Sequence, residues 1–147
     1  MQIISRNKIA SREYDVSKKI EAGIVLTGEE IKSIRANRVN LKGSYVKILN
    51  RDKGAGEAFL IGCHIFTRIG DPYRTRKLLL KKAEIRMLIG KTTERGLTLI
   101  PLSLYIKKGR AKIEVAIAKG LHKVDKREKI KKQETDRRIR KLLTDKK

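Results

Sequence analysis

The chain has 147 residues, 39% of them hydrophobic, enough for one domain of ordinary size with a single modest core and an appendage. Its 38 Lys and Arg against 16 Asp and Glu give a formal net charge of +22, which suits a polyanionic partner such as nucleic acid. No run approaches the roughly 20 apolar residues that span a bilayer, the amino terminus lacks the apolar core of a secretory signal, and a lone cysteine excludes an intrachain disulfide or a cysteine-cluster zinc site, so the cytosol is the expected compartment.

In chain order, strands are expected over Tyr14–Ile20 and Gly23–Leu26. Thr27 and Glu30 follow with the spacing of a capping box, in which the hydroxyl and the carboxylate each satisfy a free backbone N–H. The helix they open places Ile31 and Ile34 on one face. Val46 and Ile48 alternate in the next strand, 50–56 reads as a hairpin loop rich in Gly and charge, and Phe59, Ile61, Cys63 and Ile65 alternate after it. Beyond the Asp71-Pro72 turn, Arg74, Arg76, Lys77, Lys81 and Lys82 form a basic cluster of mobile side chains suited to phosphates. A second helix is expected over Lys81–Ile89, stopped by Gly90. Ile100, Leu102, Leu104 and Ile106 then pair with Ile113, Val115 and Ile117 across the turn at Lys107–Arg110.

About six short strands without βαβ spacing predict an all-β dominated fold. At this length a small closed antiparallel barrel best removes exposed edges. The body is taken as residues 1–118 and the tail as 119–147. The tail holds 13 Lys and Arg against 5 Asp and Glu, leaving +14 on the body. Six large aliphatic residues cannot offset the entropy of ordering such a segment alone, so it is expected to be mobile when free and helical on a polyanion.

The residues give little to catalysis. His64 sits in an alternating strand and His122 in the tail, so no rigid triad or metal site assembles around them. Cys63 reads as a buried residue rather than a nucleophile. Glu29 and Glu30 read as a cap plus an exposed charge. Aromatic residues are 4% of the chain, too few for a base-stacking sheet, and recognition of a structured RNA by shape and phosphate fits better. Two rival readings remain at this level: a ribosomal protein, or general structured-RNA binder, with a basic extension; and a metal-dependent RNA-processing enzyme using Asp71 or Glu30.

An ordered set of blocks resembles the SsrA-binding protein (SmpB) family: Asn7-Lys8 with Tyr14, Glu21–Leu26 running into Glu30–Arg35, Ser44-Tyr45, Asp71–Leu80, Gly96–Leu102, Ala118-Lys119-Gly120 and Asp125–Glu128. The resemblance implies an OB-fold-like barrel with two or three short helices, no catalysis and no cofactor. It implies that a monomeric body binds the tRNA-like domain of tmRNA and delivers it to stalled ribosomes in trans-translation. The GTPase EF-Tu takes part indirectly, through aminoacylated tmRNA. The tail would become helical in an empty mRNA channel beside the decoding centre.

By motif, Asn7, Tyr14, Glu21, Tyr45 and Leu79 match the family's RNA-binding surface, with Arg74, Arg76, Lys77 and Lys119 as basic contacts. Tyr14, Tyr45 and Leu79 fit strand-side core positions equally well. Asp125, Lys126 and Arg127 match the tail motif of the decoding centre, and Leu142 and Leu143 its distal apolar pair. Val124 stands where the family commonly has an aromatic residue or His, and Lys81 where His is frequent.

Overall fold

A computed structural model of the chain describes residues 1–51, 55–92, 96–120, 130–135 and 137. In order come β1 (Gln2–Arg6), α1 (Ala10–Glu13), β2 (Tyr14–Ile24), α2 (Gly28–Arg35), β3 (Val39–Asn40), β4 (Tyr45–Arg51), β5 (Ala55–Ile61), β6 (His64–Ile65), β7 (Arg76–Leu79), α3 (Lys82–Thr92), β8 (Leu97–Lys107) and β9 (Arg110–Gly120). Residues 130–135 are also helical. The fold is mostly β, with every strand pairing antiparallel. Pairings run from β8 through β4, β5, β7, β2 and β9 and return to β8. β1 adds outside this circuit on β8, and β3 with β6 forms a separate two-stranded ladder.

Inside the circuit lies one core, with Leu60, Leu78, Leu99, Leu104, Ile113 and Ile117 almost wholly removed from water. Two helices each send one fully buried side chain into it, Ile34 from α2 and Leu88 from α3. Ile31, expected beside Ile34, is 39% exposed. A smaller cluster of Ala10, Ile100, Ala116 and Ala118 forms between α1 and the outer face of β8 and β9, with Tyr14 and Leu102 against it.

Four expectations change. The two strands read over 14–26 are one eleven-residue strand, β2, with a register shift between Val16 and Lys18. The alternation of Phe59, Ile61, Cys63 and Ile65 is broken in phase, because Ala58 and Leu60 are the buried pair on β5, while Cys63 and Ile65 are buried beyond it. Gly62, with φ of +78°, turns the chain between them and resets which parity faces inward. A register shift between Pro101 and Ser103 does the same on β8: Leu99 and Leu104 face the main core while Ile100 faces the smaller cluster. Gly90 does not stop α3, which ends at Thr92, whose hydroxyl donates to the Leu88 and Ile89 carbonyls at 2.9 and 3.1 Å. The glycine that α3 depends on is Gly56, where a Cβ would stand 2.7 Å from Ile85 Cγ2.

Gly62→Ala tests the phase change. Nothing presses on that position closer than Gly43 O at 3.5 Å, so its cost is conformational. Loss of about 1–2 kcal/mol is expected, read as a lower thermal midpoint without loss of folding.

Candidate nucleic-acid interface

Outward positions of β2 are built for contact rather than packing. Lys19, Glu21 and Gly23 alternate with the buried Ile20, Ala22 and Ile24. Glu21 pairs across to Glu114 on β9. It is held by Tyr105, whose hydroxyl donates to Oε2 at 2.5 Å, and by Lys107 Nζ at 3.4 Å from the same oxygen. The Tyr105 hydrogen bond lowers the Glu21 carboxyl; partial burial opposes it, and Lys107 assists. Burial of Tyr105, with the carboxylate beside it, pushes its phenol up, so it remains a donor at neutral pH. The result is an ionised, oriented carboxylate facing outward. It repels phosphate and accepts N–H groups such as those on base edges.

Two grooves meet at this carboxylate. One, of about 990 Å³, is lined by Lys18, Lys19, Lys77, Leu79, Lys81 and Lys112. The other, also about 990 Å³, includes Arg6, Asn7, Lys8, Tyr105 and Glu114. Glu21 and Lys19 line both. Asn7 is fixed by two bonds to β8, its Nδ2 donating to Pro101 O at 3.0 Å and its backbone N–H to Leu102 O at 2.8 Å. Leu79 faces out at 55% exposure from β7, where it pairs with Gly23. A Cβ on residue 23 would lie 3.2 Å from Leu79 Cβ, so the glycine makes room for this apolar side chain. Lysines for phosphates, an aliphatic face for a base and an acceptor for base edges thus share one surface.

Asn7, Glu21, Lys77 and Leu79 are the expected residues that the fold brings together. Tyr14 and Lys119 sit at the far end of the β2–β9 ladder, where Tyr14 pairs with Gly120 and Asp15 with Lys119. Seven strand residues, about 23 Å, separate Tyr14 from Glu21. Tyr14 is half-buried against the smaller cluster, which favours its packing role. Tyr45 is 45% exposed on β4 and lines neither groove. Lys119 lies within β9, so regular structure passes the expected boundary at residue 118. Asp125, Lys126, Arg127, Leu142 and Leu143 fall outside the described residues.

Arg76 is a correction. Expected to be a mobile phosphate contact, it is 0% exposed. Its Nε donates to Glu30 Oε2 at 2.7 Å, Nη1 to Cys63 O at 2.6 Å and Nη2 to Pro72 O at 3.0 Å. Glu30, also buried, completes the capping box by accepting from Thr27 N at 2.9 Å and adds Arg74 Nη2 at 2.6 Å. Burial alone would raise the Glu30 carboxyl; the bonds from Arg74, Thr27 and Arg76 outweigh it and hold the group at about 2. Arg74 is therefore half-exposed and tethered. With its oxygens taken by these donors, Glu30 is poorly placed to hold a divalent metal, and Asp71 Oδ1 accepts from Tyr73 N at 2.8 Å. Cys63 is buried and its thiol is pushed up to about 11 by desolvation.

Lys18, Lys19, Lys112 and Tyr105 were not anticipated. The first three carried a signal, as charged residues at outward strand positions. Tyr105 carried none, because its value lies in a partner 84 residues away.

The sequence model of the SmpB protein family matches residues 4–145. The chain belongs to the SmpB protein family. Its SmpB relatives include SsrA-binding proteins of Limosilactobacillus reuteri, 47% identical with 96% of this chain and 90% of that protein covered, and of Streptococcus uberis, 49% identical with 96% and 92% covered. Another, from Geobacillus thermodenitrificans, is 50% identical, with 94% and 90% covered. A solved chain described as "tmRNA-SmpB: a journey to the center of the bacterial ribosome" is 36% identical, with a TM-score of 0.64 over 86% of this chain and 93% of that one. No described helix is long and apolar enough to cross a membrane.

Proposed function

We propose that this chain is an RNA-binding adaptor of trans-translation, whose body binds the tRNA-like domain of tmRNA and brings it to stalled ribosomes. The observation that carries the reading is the likeness, in sequence and in fold, to the solved SmpB chain described with tmRNA and the ribosome. The paired grooves around Glu21 support it with a plausible chemistry of contact. Lysines on β2, β7 and β9 neutralise phosphates, Glu21 and Asn7 read base-edge donors, and Leu79 packs on a base face. Tyr14, Tyr45 and Lys119 extend the surface by resemblance alone.

In this reading the circuit of strand pairings is a small OB-type barrel, and the adaptor works as a monomer in the cytoplasm without catalysing a reaction. EF-Tu joins through aminoacylated tmRNA. The carboxyl segment, through Asp125, Lys126 and Arg127 with Leu142 and Leu143, senses an empty mRNA channel by folding in it, so ordering entropy is offset only where the channel is free.

Glu21→Ala tests the site. It removes charge-assisted acceptor contacts at the surface, and affinity for the tRNA-like domain should fall about tenfold with the thermal transition preserved. Unchanged affinity would remove Glu21 from the interface, and a collapsed transition would make it structural.

A further inference from the structure

Residues 130–135 form a helix whose two half-buried positions are Ile130 and Gln133, while Lys131, Lys132, Glu134 and Thr135 are exposed. Positions 130, 133 and 137 share one helical face. Gln133 and Arg137 line the same cavity as Asn7, Glu21, Tyr105 and Glu114. This described part of the tail is seated on the groove assigned above to RNA.

Charge explains the choice of surface. Glu21 and Glu114 stand opposite each other on β2 and β9, an acceptor pair on a chain of net charge +22. A guanidinium and a side-chain amide are N–H donors suited to such acceptors. Ile3, Val16 and Leu102 supply an apolar wall in the same cavity, and Ile130 is half-buried on the helical face that carries Gln133 and Arg137. The helix turns Lys131 and Lys132 to solvent, away from the groove's own Arg6, Lys8 and Arg12.

We propose that the groove at Asn7, Glu21 and Glu114 is a docking surface for the chain's own helix at 130–135 with Arg137, and that RNA entering the groove displaces this helix. The inference rests on the reading that the groove takes RNA. Base edges present the same class of donors as Gln133 and Arg137, so the two occupants compete for the same acceptors. The tail segment is held while RNA is absent and released when RNA binds, which makes it available to a ribosome only in the loaded complex. An intramolecular competitor also lowers the apparent affinity for RNA by the fraction of chains in which the groove is free.

The test uses the full chain with Thr135→Cys carrying a nitroxide; Cys63 is the sole native cysteine and is 0% exposed, so labelling is selective. Amide signals of Arg6, Asn7, Glu21 and Ser103 should be broadened in the free protein and recover on saturation with the tRNA-like domain of tmRNA. Signals already sharp in the free protein would overturn the docking, and broadening that persists at saturation would overturn the competition. Broadening together with no RNA binding would sustain the docking and sink the RNA reading instead. Ile130→Ser leaves the net charge unchanged; it should reduce the broadening and tighten apparent binding about two- to fivefold. Reduced broadening with unchanged affinity would again overturn the competition.

Discussion

Arg76→Ala is expected to destabilise the body by about 3–5 kcal/mol, because it leaves Glu30 buried with one guanidinium fewer and strips partners from two backbone carbonyls. The three acceptors lie on α2, in the segment after β5 and in the turn before β7. One side chain therefore ties α2 to two points on the segment between β5 and β7. For a domain of this size such a loss lowers the thermal midpoint by about 10–15 °C. The double variant Arg76→Met with Glu30→Leu should lose much less than the sum of its single changes, since no charge is then stranded. Additive losses would show that the pair is not coupled.

The same network sets an acid dependence. Glu30 titrates at about 2 in the folded chain against an ordinary value of 4.5, so in acid the unfolded chain takes up protons first. Its contribution is complete above about pH 4.5 and is lost as pH falls through about 2. Glu30→Gln should therefore show a shallower fall in thermal midpoint over that interval than the unaltered chain.

A chain ending at Val124 is expected to bind the tRNA-like domain of tmRNA at least as well as the intact protein, and within about fivefold of it, since the groove lysines and the body's positive charge are untouched and the competing helix is gone. Peptidyl transfer to alanyl-tmRNA on stalled ribosomes should nevertheless fall to background. The two readouts separate because the body supplies RNA affinity and the segment from Asp125 supplies recognition of the empty channel. Joint loss of both, or transfer that survives truncation, would refute this division.

Local chemistry was legible in the letters where it closes within a few residues. Thr27 and Glu30 make both bonds of the capping box. The turn between β8 and β9 falls where Lys108 and Gly109, both with positive φ, reverse the chain. Glu21, singled out by its match to the family motif, faces outward between the two grooves.

Long-range compensation was not legible. A guanidinium reads as solvent-facing until its carboxylate, 46 residues away, is placed beside it, which is why Arg76 was put on the wrong side of the surface. Phase was lost for a related reason. Period-two alternation assumes an unbroken pleat, and neither the left-handed turn at Gly62 nor the register shift after Pro101 alters the count of apolar letters.

The most direct test of the central claim is a competition titration of the intact chain with the tRNA-like domain of tmRNA and ordinary tRNA over a range of salt concentrations. The account predicts a preference for the tmRNA fragment that persists as salt rises, because oriented acceptors and an apolar face remain once counterion release has been screened. Equal binding to both RNAs that disappears with salt would contradict it, leaving a polycation without a recognition site.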